Sequence, residues 1–209
     1  MDIEILGSSD ALSRTWRSDV VFVMPFTDAA QASRSANLMA KRAGAPGLLL
    51  AVHDDTRDGF IHLANRIFRC TRSIFFGYVA QDAYAGRYWL RTALAAFENP
   101  RAHLLAFNDG KWFGTLAAYG LARRSWAETL YGGAFFFDGY RSHYADTEIS
   151  LIAAEQKALA YAAGSLLVEV DWEKDTRAVD PDDRRLFRER AAGGFDGRVR
   201  SEALLKQFG

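Results

Sequence analysis

The sequence predicts an α/β fold: a mostly parallel central sheet with helices on both faces and a small antiparallel element. Two observations carry the prediction. Apolar segments alternate with amphipathic ones in a βαβαβαβ order through the first half of the chain. The apolar segments are also continuous rather than alternating, as strands covered on both faces must be.

Val20 to Pro25 reads as the first strand, stopped by its proline. Ala29 to Ala43 follows as a helix, ending at Gly44 with Pro46 beyond. Gly47 to Val52 is the second strand. Gly59 to Arg69 is amphipathic, with Phe60, Leu63, Ala64, Ile67 and Phe68 on one face. Ser73 to Val79 and His103 to Phe107 are further strands, with a helix at Arg87 to Phe97 between them. Asn108 to Tyr144 breaks the rhythm with glycines and aromatics. It is expected to form irregular structure and small antiparallel pieces, such as Ala134 to Phe137, over the sheet edge. A helix is expected from about Tyr144 to Ala163 and a strand at Leu166 to Val170. Asp180-Pro181-Asp182-Asp183 is a strong helix start, with a capping acid and proline at the first helical position. That helix ends at Gly193-Gly194. The expectation is a single domain over 1–209, its core at about 18–172 and a C-terminal helical arm at about 180–209.

Composition narrows the class. The 26 basic residues equal the 26 acidic ones, so no overall field favours nucleic acid or an anionic membrane. Cys70 is alone, which excludes an internal disulfide and a multi-cysteine zinc site. No apolar run approaches the roughly 18 residues of a membrane span, and Met1-Asp2-Ile3-Glu4 lacks a signal-peptide pattern. The expected location is the cytoplasm, including a peripheral place on the inner face of the membrane.

Chemistry in an open parallel sheet belongs at the carboxyl ends of its strands. Here each strand runs into an acidic turn: Thr27-Asp28, then His53-Asp54-Asp55-Thr56-Arg57-Asp58, then Gln81-Asp82, then Asn108-Asp109. Aspartate also serves as an ordinary turn and cap residue, but four such turns on one rim suggest a site. No glycine-rich phosphate loop, nucleophile elbow or His-Glu-x-x-His helix is present, and His53, His62, His103 and His143 show no metal-ligand spacing. A nucleotide would therefore be read through its base and ribose by carboxylates. Asp146 and Glu148 lie at the start of a predicted helix, directly after the aromatic run from Tyr131 to Tyr140. In that position an acid either complements the helix dipole or, if a cleft holds it near a hydroxyl, serves as a general base. Trp112, Trp126 and Tyr131 are candidates for stacking on a sugar ring.

The order of these segments resembles the inverting glycosyltransferases of family two, which have a GT-A fold. The likeness covers about Val20 to Ala163. Val20 to Pro25 resembles that family's opening strand, and Val52 to Asp58 its Asp-Asp-Gly-Ser-x-Asp turn. Phe76 to Asp82 resembles the strand leading to the Asp-x-Asp metal motif, Tyr131-Gly132-Gly133 the acceptor-side glycine turn, and Ala145-Asp146-Thr147-Glu148-Ile149 the segment with the catalytic base. The resemblance implies a nucleotide-sugar donor held by Pro25, Asp28, Asp54, Asp55 and Asp82. It implies an acceptor hydroxyl, on a saccharide or other molecule, near Trp112, Tyr131, Gly132, Gly133 and His143. It also implies a divalent cation, Mn²⁺ or Mg²⁺, on Asp82 with Asp109, Asp146 as general base, and a place in polysaccharide biosynthesis.

Two departures stand out. Ala80 occupies the place of the first acid in the metal motif, and Thr56 stands where the donor turn has glycine and serine. The alternatives are a non-catalytic nucleotide-sugar or glycan binding module, or an assembly subunit whose helix bearing Arg184, Arg185, Arg188 and Arg190 docks a protein partner. A homo-oligomer fits either.

Overall fold

The computed structural model describes residues 1–170 and 179–208. The elements run β1 (Asp2–Gly7), α1 (Ser8–Leu12), β2 (Trp16–Arg17), β3 (Val20–Phe26), α2 (Ala29–Arg42), β4 (Leu48–His53), α3 (Phe60–Cys70), β5 (Thr71–Arg72), β6 (Phe75–Tyr78) and β7 (Ala83–Ala85). They continue as α4 (Trp89–Ala96), β8 (Leu104–Asn108), β9 (Gly120–Arg123), α5 (Arg124–Ala127), α6 (Ala145–Glu155), β10 (Leu159–Glu169), α7 (Pro181–Ala192), α8 (Gly194–Gly197) and α9 (Glu202–Lys206).

Eight strands form the central sheet in the order β1-β4-β3-β6-β9-β8-β10-β7, while β2 and β5 form a separate short pair. The pairs β1–β4, β4–β3, β3–β6 and β8–β10 are parallel, and β9 is antiparallel to both β6 and β8. Two apolar layers cover the two faces. One contains Val21, Val23, Leu50, Val52, Phe76 and Tyr78 packed on α3 and α6. The other contains Phe22, Met24, Leu49, Leu105 and Phe107 packed on α2 and α4. Successive residues of one strand go to opposite layers, which is why β3 is apolar throughout and buried at every position. At Gly77 the sheet admits no side chain, because a Cβ there would strike the Phe22 ring.

The topology fixes where the acidic turns lie. β3, β4 and β6 run in one direction, and β9 reverses twice to leave β8 running with them. The carboxyl ends at Phe26, His53, Tyr78 and Asn108 therefore share one rim.

Three expectations are corrected and one element is added. The helix begun at Ala145 ends at Glu155 and does not reach Ala163. Lys157 then takes a left-handed φ of 55°, and Leu159 to Glu169 form one long strand. An alanine-rich stretch carries little period of its own, so pairing of Leu159 to Ala162 with Leu104 to Phe107 decides the outcome. The antiparallel piece of the Asn108 to Tyr144 stretch is not at the edge: Gly120 to Arg123 sits in mid-sheet between β6 and β8, and the antiparallel edge strand is β7, paired with β10. Ala134 to Phe137 is not a strand, because the buried Asn65 side chain takes the place of a ladder. Its Oδ1 accepts from the Phe135 and Phe136 amides at 3.0 and 2.8 Å, and its Nδ2 donates to the Phe136 carbonyl. Finally, Asp2 to Gly7, to which the sequence reading gave no element, forms an edge strand along β4. The expected core limit near 172 lies outside the described residues.

Candidate active site

Two adjoining cavities open at the shared rim. The larger, about 790 Å³, is lined by Thr27, His53, Asp54, Asp55, Arg57 and Gly59 on the strand side. Arg141, Ser142, His143, Val179, Asp180 and Pro181 close it from the other side. The smaller, about 240 Å³, is lined by Tyr78, Ala80, Tyr119, Phe136, Tyr144 and Asp146, among others. Ser142 and His143 belong to both walls and join the two spaces.

The turn after β4 is shaped by its own carboxylates. Asp54 accepts from the amides of Asp58 and Gly59 at 2.8 and 3.0 Å, folding the turn back on itself. Arg57 is held there in the left-handed region, at φ 55°. The Asp55 carboxylate accepts a 2.5 Å bond from the Ser8 hydroxyl, which holds its pKa below the ordinary carboxylate value. His53 lies against the Phe26 ring with centroids 5.3 Å apart.

Asp146 sits at the start of α6, facing the smaller cavity. Burial raises its pKa from 3.8 to about 6, opposed by a 2.8 Å bond from the Thr147 amide and helped slightly by the charge of Asp109. A carboxylate poised near neutral pH in a cavity of this size can take a proton from a bound hydroxyl. Two of the tyrosines lining the same cavity, Tyr78 and Tyr119, are unsuited to that role. The Tyr78 hydroxyl donates to the Ala117 carbonyl, and Tyr119 donates to Asp82 at 3.4 Å. Burial pushes both phenols well above their usual range.

Glu148 points across the helix axis, as its spacing from Asp146 requires. It is fully buried and accepts two 2.7 Å bonds from Arg190 of α7 and one of 2.9 Å from Tyr140. α7 also holds the joining loop. Asp183, 3% exposed, accepts from the backbone amides of Arg141, Ser142 and His143 at 2.8 to 2.9 Å. Tyr144, with a left-handed φ of 67°, stacks on Phe187 of α7 at 4.8 Å. A non-glycine residue held there is strained and persists only where its surroundings fix it.

Asp54, Asp55, His143 and Asp146 are thus brought to one composite cleft. The other candidates lie elsewhere. Pro25 is buried within β3, paired with Val52, and Asp28 is exposed as the N-cap of α2, accepting from Gln31. Trp112 meets Phe208 near the C-terminus, ring to ring at 5.7 Å. Tyr131 packs on Phe137 with its hydroxyl facing Glu148, and Arg198 lies over its ring. Trp126 is buried and donates to Gln156. Neither cavity wall includes Trp112, Trp126, Tyr131, Gly132 or Gly133. The residues that sequence reasoning missed are Arg141, Tyr119, Asp183 and the inward role of Arg190. Asp183 and Arg190 share the face of α7 that carries the buried Phe187, and this lone Leu186-Phe187 pair is the signal that could have marked the face as inward.

A divalent cation is the group that the resemblance implies. Among the described residues no three His, Cys, Asp or Glu side chains stand close enough to hold one. Asp82 and Asp109 are buried, at 3% and 5% exposure, and neither lines the cavities. Asp109 spends one oxygen on the amides of Lys111 and Trp112, while its other oxygen is buried without a hydrogen bond. Ala80, where an acid would be needed, faces the smaller cavity. These residues do not fit a cation seated against a diphosphate in the cleft.

No sequence family and no curated protein matches the chain. Solved structures do match its fold. TarS 1-349 of S. aureus in complex with UDP-GlcNAc superposes with a TM-score of 0.66 at 12% identity, over 91% of this chain and 71% of that one. Mannosyl-3-phosphoglycerate synthase from Rubrobacter xylanophilus gives 0.59 at 15% identity, covering 93% and 79%. The mannosyltransferase PcManGT from Pyrobaculum calidifontis, solved with GDP-Man and Mn²⁺, gives 0.57 at 12% identity, covering 88% and 66%. The chain spans only 39% of the longer TarS structure and 65% of another structure of its 1-349 piece. At such identities the likeness establishes the fold: the chain has a GT-A-type fold, as its segment order implied.

Proposed function

We propose that this chain is a glycosyltransferase, inverting and akin to family two, that moves a sugar from a nucleotide-sugar to an acceptor hydroxyl. The observation that carries the reading is Asp146, at a pKa of about 6, facing a small cavity that adjoins a larger one at the strand ends. The donor's base and ribose occupy the larger cavity near Thr27 and the turn from His53 to Asp55. The sugar lies at the Ser142–His143 seam and the acceptor hydroxyl near Asp146. Asp146 removes the hydroxyl proton as the oxygen attacks the anomeric carbon. The bond from that carbon to the phosphate oxygen breaks on the opposite face, which inverts the configuration, and the nucleoside diphosphate leaves with the electron pair. Fold relatives solved with UDP-GlcNAc and GDP-Man support this class of donor.

A thermal-shift panel of nucleotides and nucleotide-sugars, with and without Mn²⁺, tests the donor half, because a specific ligand raises the melting temperature once its concentration exceeds its Kd. No shift with any of them would remove the donor reading. A donor that binds and is never turned over or hydrolysed would favour the non-catalytic module, for which Ala80 is the argument.

A further inference from the structure

The larger cavity contains charge that the proposed reaction has not yet used. Its acids are already engaged. Asp54 closes its own turn through two backbone amides, Asp55 binds Ser8, and Asp180 caps α7 by accepting from Asp182 and Asp183. Its two arginines are not: among the described residues, Arg57 and Arg141 form no ion pair, and the only side-chain hydrogen bond between them runs from Arg141 to the Arg57 carbonyl at 3.3 Å.

Both backbones are firmly placed. Arg141 is pinned on one side by Asp183 at 2.9 Å and on the other by the Ile61 amide, which donates to its carbonyl at 3.1 Å. Gly59 is needed at that crossing, since a Cβ there would lie 2.7 Å from the Arg141 carbonyl oxygen. Arg57 is set by the left-handed turn that Asp54 closes. Two guanidiniums without carboxylate partners among the described residues, on fixed backbone and in one cavity, make a receptor for a di-anion.

We propose that Arg57 and Arg141 clamp the diphosphate of the donor and receive the charge of the departing nucleoside diphosphate, in place of a cation held by carboxylates. The inference rests on the glycosyltransferase reading. It accounts for two facts together: an alanine where the metal motif needs an acid, and buried carboxylates that line neither cavity. As the bond between the anomeric carbon and the phosphate oxygen breaks, the electron pair stays on that oxygen. The arginines stabilise the added charge, and no other reactant is required.

The test is calorimetry on the full chain with UDP, GDP, ADP, CDP and dTDP and the matching monophosphates, first in EDTA and then with Mn²⁺. Wild type is expected to bind at least one diphosphate in EDTA, more weakly as salt rises. Arg57→Gln and Arg141→Gln should each weaken that binding by about 10- to 100-fold and narrow the gap between diphosphate and monophosphate. Arg141→Lys should recover part of the loss. Both side chains are exposed, so thermal unfolding of the variants should match wild type. Binding that appears only with Mn²⁺, or glutamine variants that bind as wild type does, would overturn the clamp and leave the donor reading standing. Absence of binding by all five diphosphates in both conditions would overturn both.

Discussion

Asp146 concentrates the chemistry at the scale of one residue, and its environment makes two separable predictions. Asparagine keeps the shape and still accepts the Thr147 amide, but cannot take a proton. Asp146→Asn should lower transfer by about 10²–10⁴-fold, the usual worth of a general base, with donor affinity unchanged by calorimetry. Near-normal turnover would refute the assignment. In wild type, kcat should fall as pH drops through about 6, where the carboxyl protonates. The stability effect has the opposite sense. The folded state holds this proton more tightly than the unfolded chain, so the contribution of Asp146 to stability falls as pH rises from about 4 to 6 and is level above. Asp146→Asn lacks that loss. It should be more stable than wild type by up to about 3 kcal/mol above pH 6, and the difference should vanish below about pH 4. Denaturant titrations at several pH values measure this directly. A residue that stabilises the protein when neutralised, yet stops transfer, is spending stability on function.

At the scale of elements, α7 is what holds the cleft in register. Its Asp183 gathers three consecutive amides of the joining loop, and its Arg190 meets Glu148 on the far side of α6. Asp183→Ala should cost about 1.5–3 kcal/mol, the scale of a lost hydrogen bond to a charged group. It should also raise KM for the donor, because Arg141 and His143 lose their anchor. An unchanged KM would show that the loop holds its shape without it. Arg190→Ala leaves the Glu148 carboxylate buried beside Tyr140 and should cost about 3–5 kcal/mol in chemical denaturation. Glu148→Gln leaves that pair without its negative partner, so its deficit should be in stability, with transfer largely kept at low temperature. The sequence made part of this legible. The runs at Val20 to Pro25 and Gly47 to Val52 read as buried strands, which the structure has at Val20–Phe26 and Leu48–His53, and the carboxylates after them mark the rim. Asp146 and Glu148 were separable by helical spacing alone. The partners of Asp183 and Arg190 were not legible, because Phe187 marks their face of α7 as inward without saying which groups, 42 residues away in the chain, it meets. Nor was β10, where pairing with β8 decides the conformation of a stretch that could also be helical.

For the whole molecule, the question is whether residues beyond 179 are an appendage or part of the domain that carries the cleft. Contacts favour the second. Phe187, Phe195 and Val199 are buried in the same apolar layer as α3 and α6, and Ser201 donates its amide to Glu155 at 3.1 Å. The Arg190 guanidinium also lies 3.5 Å from the centre of the Phe137 ring, so it closes the layer as well as pairing Glu148. A domain of this size has about 5–15 kcal/mol of stability in all. Losing the Arg190 pair alone removes about 3–5 kcal/mol, before the exposed apolar surface is counted. A chain ending at residue 179 should therefore lose its cooperative thermal transition, or melt far below the full chain, and should bind no nucleotide. The parallel pairs β1–β4, β4–β3 and β3–β6 take their ladder hydrogen bonds from one another and not from this region. Residual structure in the truncated chain should accordingly concentrate there, read by hydrogen exchange as protected amides in β3 and β4 and none in α6. A truncated chain that melts like the full one would make the C-terminal helices an arm after all, and would free the arginine face of α7 for a protein partner.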